Sequence, residues 1–158
     1  MLEKNTSTAN TDRQHHKAFW CWCLLVGYAA CIFALSAIPG QALPRVRVSD
    51  KLVHAVEFGI LAVLTCRALR IQAPSWPLPL VASISILVAI CYGAVDEAHQ
   101  LFVPQRTAEL ADVAADSLGA TLAAWSWLKV RTRRTHLQYS KMTPSANNAL
   151  KIREKEVM

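Results

Sequence analysis

Acidic residues are scarce in this 158-residue chain: eleven Asp and Glu stand against seventeen Lys and Arg, and charged residues of both signs make up only 18%. Beside 53% hydrophobic residues, so little charge excludes disorder as the state of the whole chain and points to membrane composition. The length allows one compact unit and is too short for two ordinary domains. No motif with groove-reading or stacking residues accompanies the net charge of +6, and the cations gather beside apolar segments. Nucleic acid is therefore not expected as a partner, and the basic residues read as determinants of membrane topology. A disulfide framework is missing too. All five cysteines (Cys21, Cys23, Cys31, Cys66, Cys91) fall in apolar segments. Cys21-x-Cys23 would stand about 200° apart on a helix, which suits packing rather than a metal pair.

Charge is absent altogether from Phe19 to Ile38, a run of twenty residues ending at Pro39-Gly40. At about 1.5 Å per residue it spans a hydrocarbon core of about 30 Å. A cleaved signal peptide is the rival reading. The run exceeds the roughly 7–15 residues usual for such a leader, so an uncleaved anchor is expected. A second segment, Lys51 to Leu69, is interrupted by His54, Glu57 and Arg67 and has a continuous apolar core only from Phe58 to Cys66. The third, Leu78 to Val95, follows the breaker Pro74-Ser75-Trp76-Pro77-Leu78-Pro79. The fourth, Leu110 to Val130, carries Asp112 and Asp116 in its first turns. Small residues follow (Ser117, Gly119, Ala120, Ala123, Ala124) and permit close helix packing, with Trp125 and Trp127 suited to a membrane interface. The expected fold is an all-α, polytopic membrane protein, a bundle of four transmembrane helices. Residues 1–18 are expected as a disordered tail, 19–130 as the membrane domain, and 131–158 as a basic tail with a short helix near Asn148–Val157.

Counting Lys and Arg gives the orientation. With the N-terminus cytoplasmic, the inside receives thirteen cations and the outside four, Arg45, Arg47, Lys51 and Arg106. The positive-inside rule then puts both termini in the cytoplasm of a bacterial inner membrane.

Seven of the eleven acids lie in three clusters at the ends of these segments: Asp50-Lys51-x-x-His54-x-x-Glu57, Asp96-Glu97-x-His99-Gln100, and Arg106-x-x-Glu109-x-x-Asp112-x-x-x-Asp116. All three fall on the outer side in that topology. A carboxylate at mid-helix costs about 2.5–3.5 kcal/mol on insertion scales, so it faces a protein interior and a partner. Asp50, His54 and Glu57 fall on one helical face, as do Glu109, Asp112, Asp116 and Gly119. Glu97 and Gln100 are three apart if the third helix runs past Val95. Glu57 and Asp116 would be the deepest of these residues.

These stretches resemble the VanZ-like family of small bacterial membrane proteins. The resemblance runs from Ser36-x-x-Pro39 through Asp50-Lys51-x-x-His54-x-x-Glu57 and Asp96-Glu97-x-x-Gln100-x-Phe102-Val103-Pro104-x-Arg106 to Asp112-x-x-x-Asp116-x-x-Gly119. Three positions depart from the usual pattern: Phe58 stands where Tyr is frequent, Gln105 where Gly is common, and Asp116 where Asn often occurs. The resemblance implies a polytopic inner-membrane protein, and the family's founding member is associated with low-level resistance to the glycopeptide teicoplanin.

Four uses of the clusters follow from the residues. Asp50, His54, Glu57, Glu97, Asp112 and Asp116 can serve as acids and bases. Lys51, Gln100 and Arg106 can hold a phosphate-bearing headgroup of a membrane lipid or of a lipid-linked envelope precursor, Arg in two-pronged fashion. Whether a bond is broken stays open, as do oligomeric state and cofactor. Secondly, the charges can simply lock helix register. Thirdly, His54 and Glu57 with Glu97, His99 and Asp112 offer nitrogen and oxygen ligands, but the spacing is no standard metal motif and no metal ligand is assigned. Lastly, transport needs a path through the inner half, where Arg67 is the one charge.

Overall fold

In the computed structural model the backbone is described for residues 2–42 and 49–142, and side chains for residues 12–42 and 49–139. The described residues form four α-helices: α1 (Leu2–Ser36), α2 (Asp50–Gln72), α3 (Leu78–Gln100) and α4 (Leu110–Met142). A single 3-10 turn, Gly40–Ala42, lies between α1 and α2. No strand occurs among the described residues.

Helix boundaries follow local chemistry. No proline or glycine occurs before Gly27, so nothing breaks α1 on its polar side, and it reaches back to Leu2. The described part of the expected disordered tail is thus helical. α2 stops where Ala73 donates its amide to the Leu69 carbonyl and Pro74 prevents a further turn. Arg70 then donates to the carbonyls of Pro74 and Trp76, tying down the connection. Pro77 precedes α3 and Pro79 sits in its first turn, a position that needs no amide donor. α3 continues past Val95 to Gln100, which keeps Asp96, Glu97 and Gln100 on helical backbone. α4 continues beyond Val130 into the basic segment as far as Met142. The expected short helix near Asn148–Val157 lies outside the described residues.

Among the described residues, three helical stretches are long and apolar enough to cross a membrane: Asp12–Ser36, Asp50–Gln72 and Leu78–Gln100. Twenty-three helical residues measure roughly 34 Å, a full hydrocarbon core. The expected fourth span is helical but does not reach that level. Asp112, Asp116, Lys129 and the small residues between them dilute its apolar content. Leu24, Val26, Leu87 and Val95 are exposed on the outside of the bundle, as side chains facing lipid would be.

α2 and α4 make the most intimate contact in the molecule, and α2 also packs on α1 and α3. Backbone proximity explains that intimacy. A Cβ on Gly119 would collide with the Ala55 carbonyl, and one on Gly59 would press on the Gly119 carbonyl. Ala120 and Ala124 are fully buried along the same seam. Phe58, Leu61, Cys66 and Val81 fill the centre. The five cysteines are free thiols.

Candidate functional site

The helices alternate in direction, so the end of α1, the start of α2, the end of α3 and the start of α4 meet at one end of the bundle. All three charged clusters lie there. Two connections close over them: the Gly40 amide donates to the Pro104 carbonyl at 3.3 Å, and Arg106 Nε donates to the Ile38 carbonyl at 3.3 Å.

From α2, Lys51 Nζ reaches across to α4 and its approach, donating to Glu109 Oε2 at 3.0 Å and Asp112 Oδ1 at 3.1 Å. One turn deeper, His54 Nδ1 lies 3.1 Å from Asp116 Oδ1, and Asp116 is only 1% exposed. His54 and the ring of Phe58, one helical turn on, are nearly parallel with centroids 6.4 Å apart. On the opposite side, Asp96 Oδ2 accepts from Ser36 Oγ at 3.0 Å and from Gln100 Nε2 at 3.1 Å. Glu97 Oε2 accepts the Glu109 amide at 2.9 Å, so this carboxylate ties the chain entering α4 to α3. The bonds from Lys51, His54 and Glu97 each join residues of different clusters, and Ser36 joins α1 to the cluster on α3.

Not every polar atom is satisfied. Asp96 Oδ1, Glu97 Oε1 and Asp116 Oδ2 are buried and make no hydrogen bond. Native proteins rarely leave buried oxygens without a partner, and such atoms mark functional sites or ligand positions. Burial of so much like charge is the main energetic anomaly here. Seven carboxylates share this end with Lys51, Arg106 and His54.

Two cavities open between these side chains. The deeper, of about 230 Å³, has Asp50, His54, Glu57, Asp96, Gln100 and Arg106 in its wall, with Ile32, Leu35, Ser36 and Val53 completing it. The second, of about 210 Å³, lies toward the connections and includes Asp50, Gln100, Arg106, Glu109 and Asp112. Asp50, Gln100 and Arg106 belong to both, so the cavities adjoin. An apolar groove of about 480 Å³ between α2 and α4, near Arg67, lies away from this chemistry.

The residues expected to form a site are therefore brought together, though not equivalently. Asp50, His54, Glu57, Gln100, Arg106 and Asp112 line the cavities. Glu97, Asp116 and Lys51 do not line them and hold the wall residues or the helices instead. His99 turns away to lie against Phe33 of α1, with ring centroids 4.2 Å apart. Asp96 and Glu109, which the clusters contained without an assigned acid–base or ligand role, join the network, as does Ser36. Asp96 and Gln100 are four residues apart, the spacing of a helical side-chain pair, and that was the available signal. The nitrogen and oxygen ligands that approach one another are Asp50, His54 and Asp112, whose ligand atoms all lie within 4.8 Å.

Such a helical bundle, with membrane-length apolar helices and a polar chamber at one end, defines a class of integral membrane protein with a terminal polar site. Residues 24–131, reaching from within α1 to within α4, match the VanZ/LLP1 family, and the chain belongs to it. No curated protein and no solved structure matches the chain.

Proposed function

We propose that this chain is a four-crossing inner-membrane protein with both termini cytoplasmic. Its polar chamber faces outward and binds the phosphate-bearing headgroup of an envelope lipid or lipid-linked precursor. One observation carries the reading: Arg106 lines both cavities, yet its guanidinium makes no ion pair with any carboxylate among the described residues. Its one hydrogen bond among the described residues, from Nε to the Ile38 carbonyl, leaves both terminal nitrogens for a ligand. A planar guanidinium held in that way suits two oxygens of one phosphate. Asp96, turned by Ser36 and Gln100, and His54, held by Asp116, then stand beside the bound group as acid–base candidates.

Binding of a fluorescent anionic lipid to the purified protein, set beside function in a deletion strain, tests this. Arg106→Lys keeps the charge and loses the fork, so we expect about a tenfold or greater loss of binding without loss of fold. Equal binding by Arg106→Lys and the parent would remove the headgroup clamp. An envelope-lipid ligand also agrees with the teicoplanin link of the family's founding member, and deletion is expected to shift teicoplanin susceptibility.

A second reading, a purely structural network, draws on Lys51, which joins α2 to Glu109 and Asp112. That role accounts for Glu109 and Asp112 but leaves Asp96 Oδ1 and the Arg106 terminal nitrogens without purpose.

A further inference from the structure

Three observations point to one missing component. Asp50, His54 and Asp112 converge so that one ligand atom of each lies within 4.8 Å of the others. His54 is oriented from behind, its Nδ1 engaged by Asp116, an arrangement that fixes the ring and leaves Nε2 without a hydrogen-bond partner among the described residues. Ring nitrogens of metal-bound histidines are held this way by a second carboxylate. Independently, Asp96 is 3% exposed, lines the same cavity as Asp50 and His54, and keeps Oδ1 unpartnered while Ser36 and Gln100 occupy Oδ2.

Charge accounting agrees. Asp50, Glu57 and Asp96 present carboxylates to the deeper cavity, and neither Asp50 nor Glu57 makes a side-chain ion pair among the described residues. Lys51 is committed to Glu109 and Asp112 at the rim. Arg106 is the one Lys or Arg in that wall among the described residues, so carboxylates outnumber cations there even with Asp50 exposed, and a bound cation offsets the excess.

We propose that the seam between the two cavities binds a divalent transition-metal ion of the zinc or manganese class. Asp50, His54 and Asp112 are its protein ligands, and Asp116 positions His54. One imidazole and two carboxylates match the ligand preferences of these ions and leave coordination positions open. Asp112 gives Oδ1 to Lys51 and retains Oδ2 for the ion. Ligand atoms at about 2.0–2.1 Å from zinc stand roughly 3.4 Å apart, so the three side chains close by at most about 1.5 Å on binding. Asp96 is reserved for a water in the open positions. Metal binding itself is independent of the headgroup reading. The open positions, filled by a phosphate oxygen beside Arg106, would deepen it.

The experiment uses the full chain in detergent, stripped with a chelator and desalted. Zn²⁺ and Mn²⁺ are titrated, bound metal is measured by elemental analysis, and Co²⁺ is followed by its visible absorption. One ion per chain is expected. Asp50→Asn changes an exposed residue and so does not threaten folding. It should weaken binding at least tenfold, as should His54→Gln and Asp112→Asn where thermal melting shows them folded. Arg67→Gln, at the far end of α2, should bind as the parent. Failure of the folded parent to hold any of the three ions would overturn the proposal, and so would parental affinity in Asp50→Asn. Lipid binding is measured in parallel, with and without metal. Headgroup binding without metal binding removes this inference and leaves the functional reading standing, and the converse result does the opposite.

Discussion

At the scale of single residues, side-chain geometry explains two of the positions that depart from the family's usual pattern. Gln105 has a φ of 59°, in the left-handed region that glycine enters without strain, so the glycine common there in relatives has a conformational reason. Asp116 accepts from His54 through one oxygen, and an asparagine carbonyl can accept the same bond. Asp116→Asn is therefore expected to keep the protein folded and functional. Asp116→Ala, which leaves the His54 Nδ1 without its partner, should lower stability by about 1–3 kcal/mol and reduce function with it. Thermal melting in detergent beside complementation decides; loss of function in a stable Asp116→Asn protein would mean that the charge itself matters. The acids of the site were legible because they are few, apolar-flanked and helically spaced. Asp96 was passed over because it adjoins Glu97 in sequence, and only the direction of α3's buried face separates the two roles.

At the scale of helices, the apolar runs located α1 and α3, and the charged stripe on α2 weakened but did not hide the second span, expected from Lys51 to Leu69 and helical from Asp50 to Gln72. At the ends, the polar residues before Phe19 and after Val130 extend helices already begun, since no breaker intervenes. The α2–α4 seam was foreseeable from the small residues on α4, whereas Gly59 on the facing helix gave no signal of its own. Gly119→Ala is expected to force α2 and α4 apart, since its Cβ would meet the Ala55 backbone, which cannot rotate out of the way. The cost should be about 1–3 kcal/mol, and the His54–Asp116 bond one turn away should loosen with it. A Gly119→Ala protein that melts and functions like the parent would show that the seam is softer than its geometry implies. Gly93→Ala acts on the same bond from α3, because its Cβ would lie 2.6 Å from Asp116 Oδ2.

For the whole molecule, the convergence of three clusters at one end was legible from topology alone, since alternate helices bring the same ends together. Side-chain pairing was not, because it depends on helix rotation that spacing leaves undetermined. The orientation proposal has a direct check. In a background without the five native cysteines, a cysteine at Gln41 or Gln105 is expected to react with an impermeant thiol reagent in intact cells. A cysteine at Ser75 or Ser145 is expected to stay unlabelled, and the reverse pattern would invert the protein in the membrane. The modest apolar content of α4 carries a consequence for biogenesis. α1, α2 and α3 have hydropathy enough to partition into the bilayer as each leaves the ribosome, whereas α4, if it crosses as proposed, enters with two aspartates near its start. In the finished bundle Lys51 meets Asp112 and His54 meets Asp116. Under the four-crossing reading, α2 thus acts as an internal chaperone for α4, and the chamber comes into existence only after α4 has been made and docked.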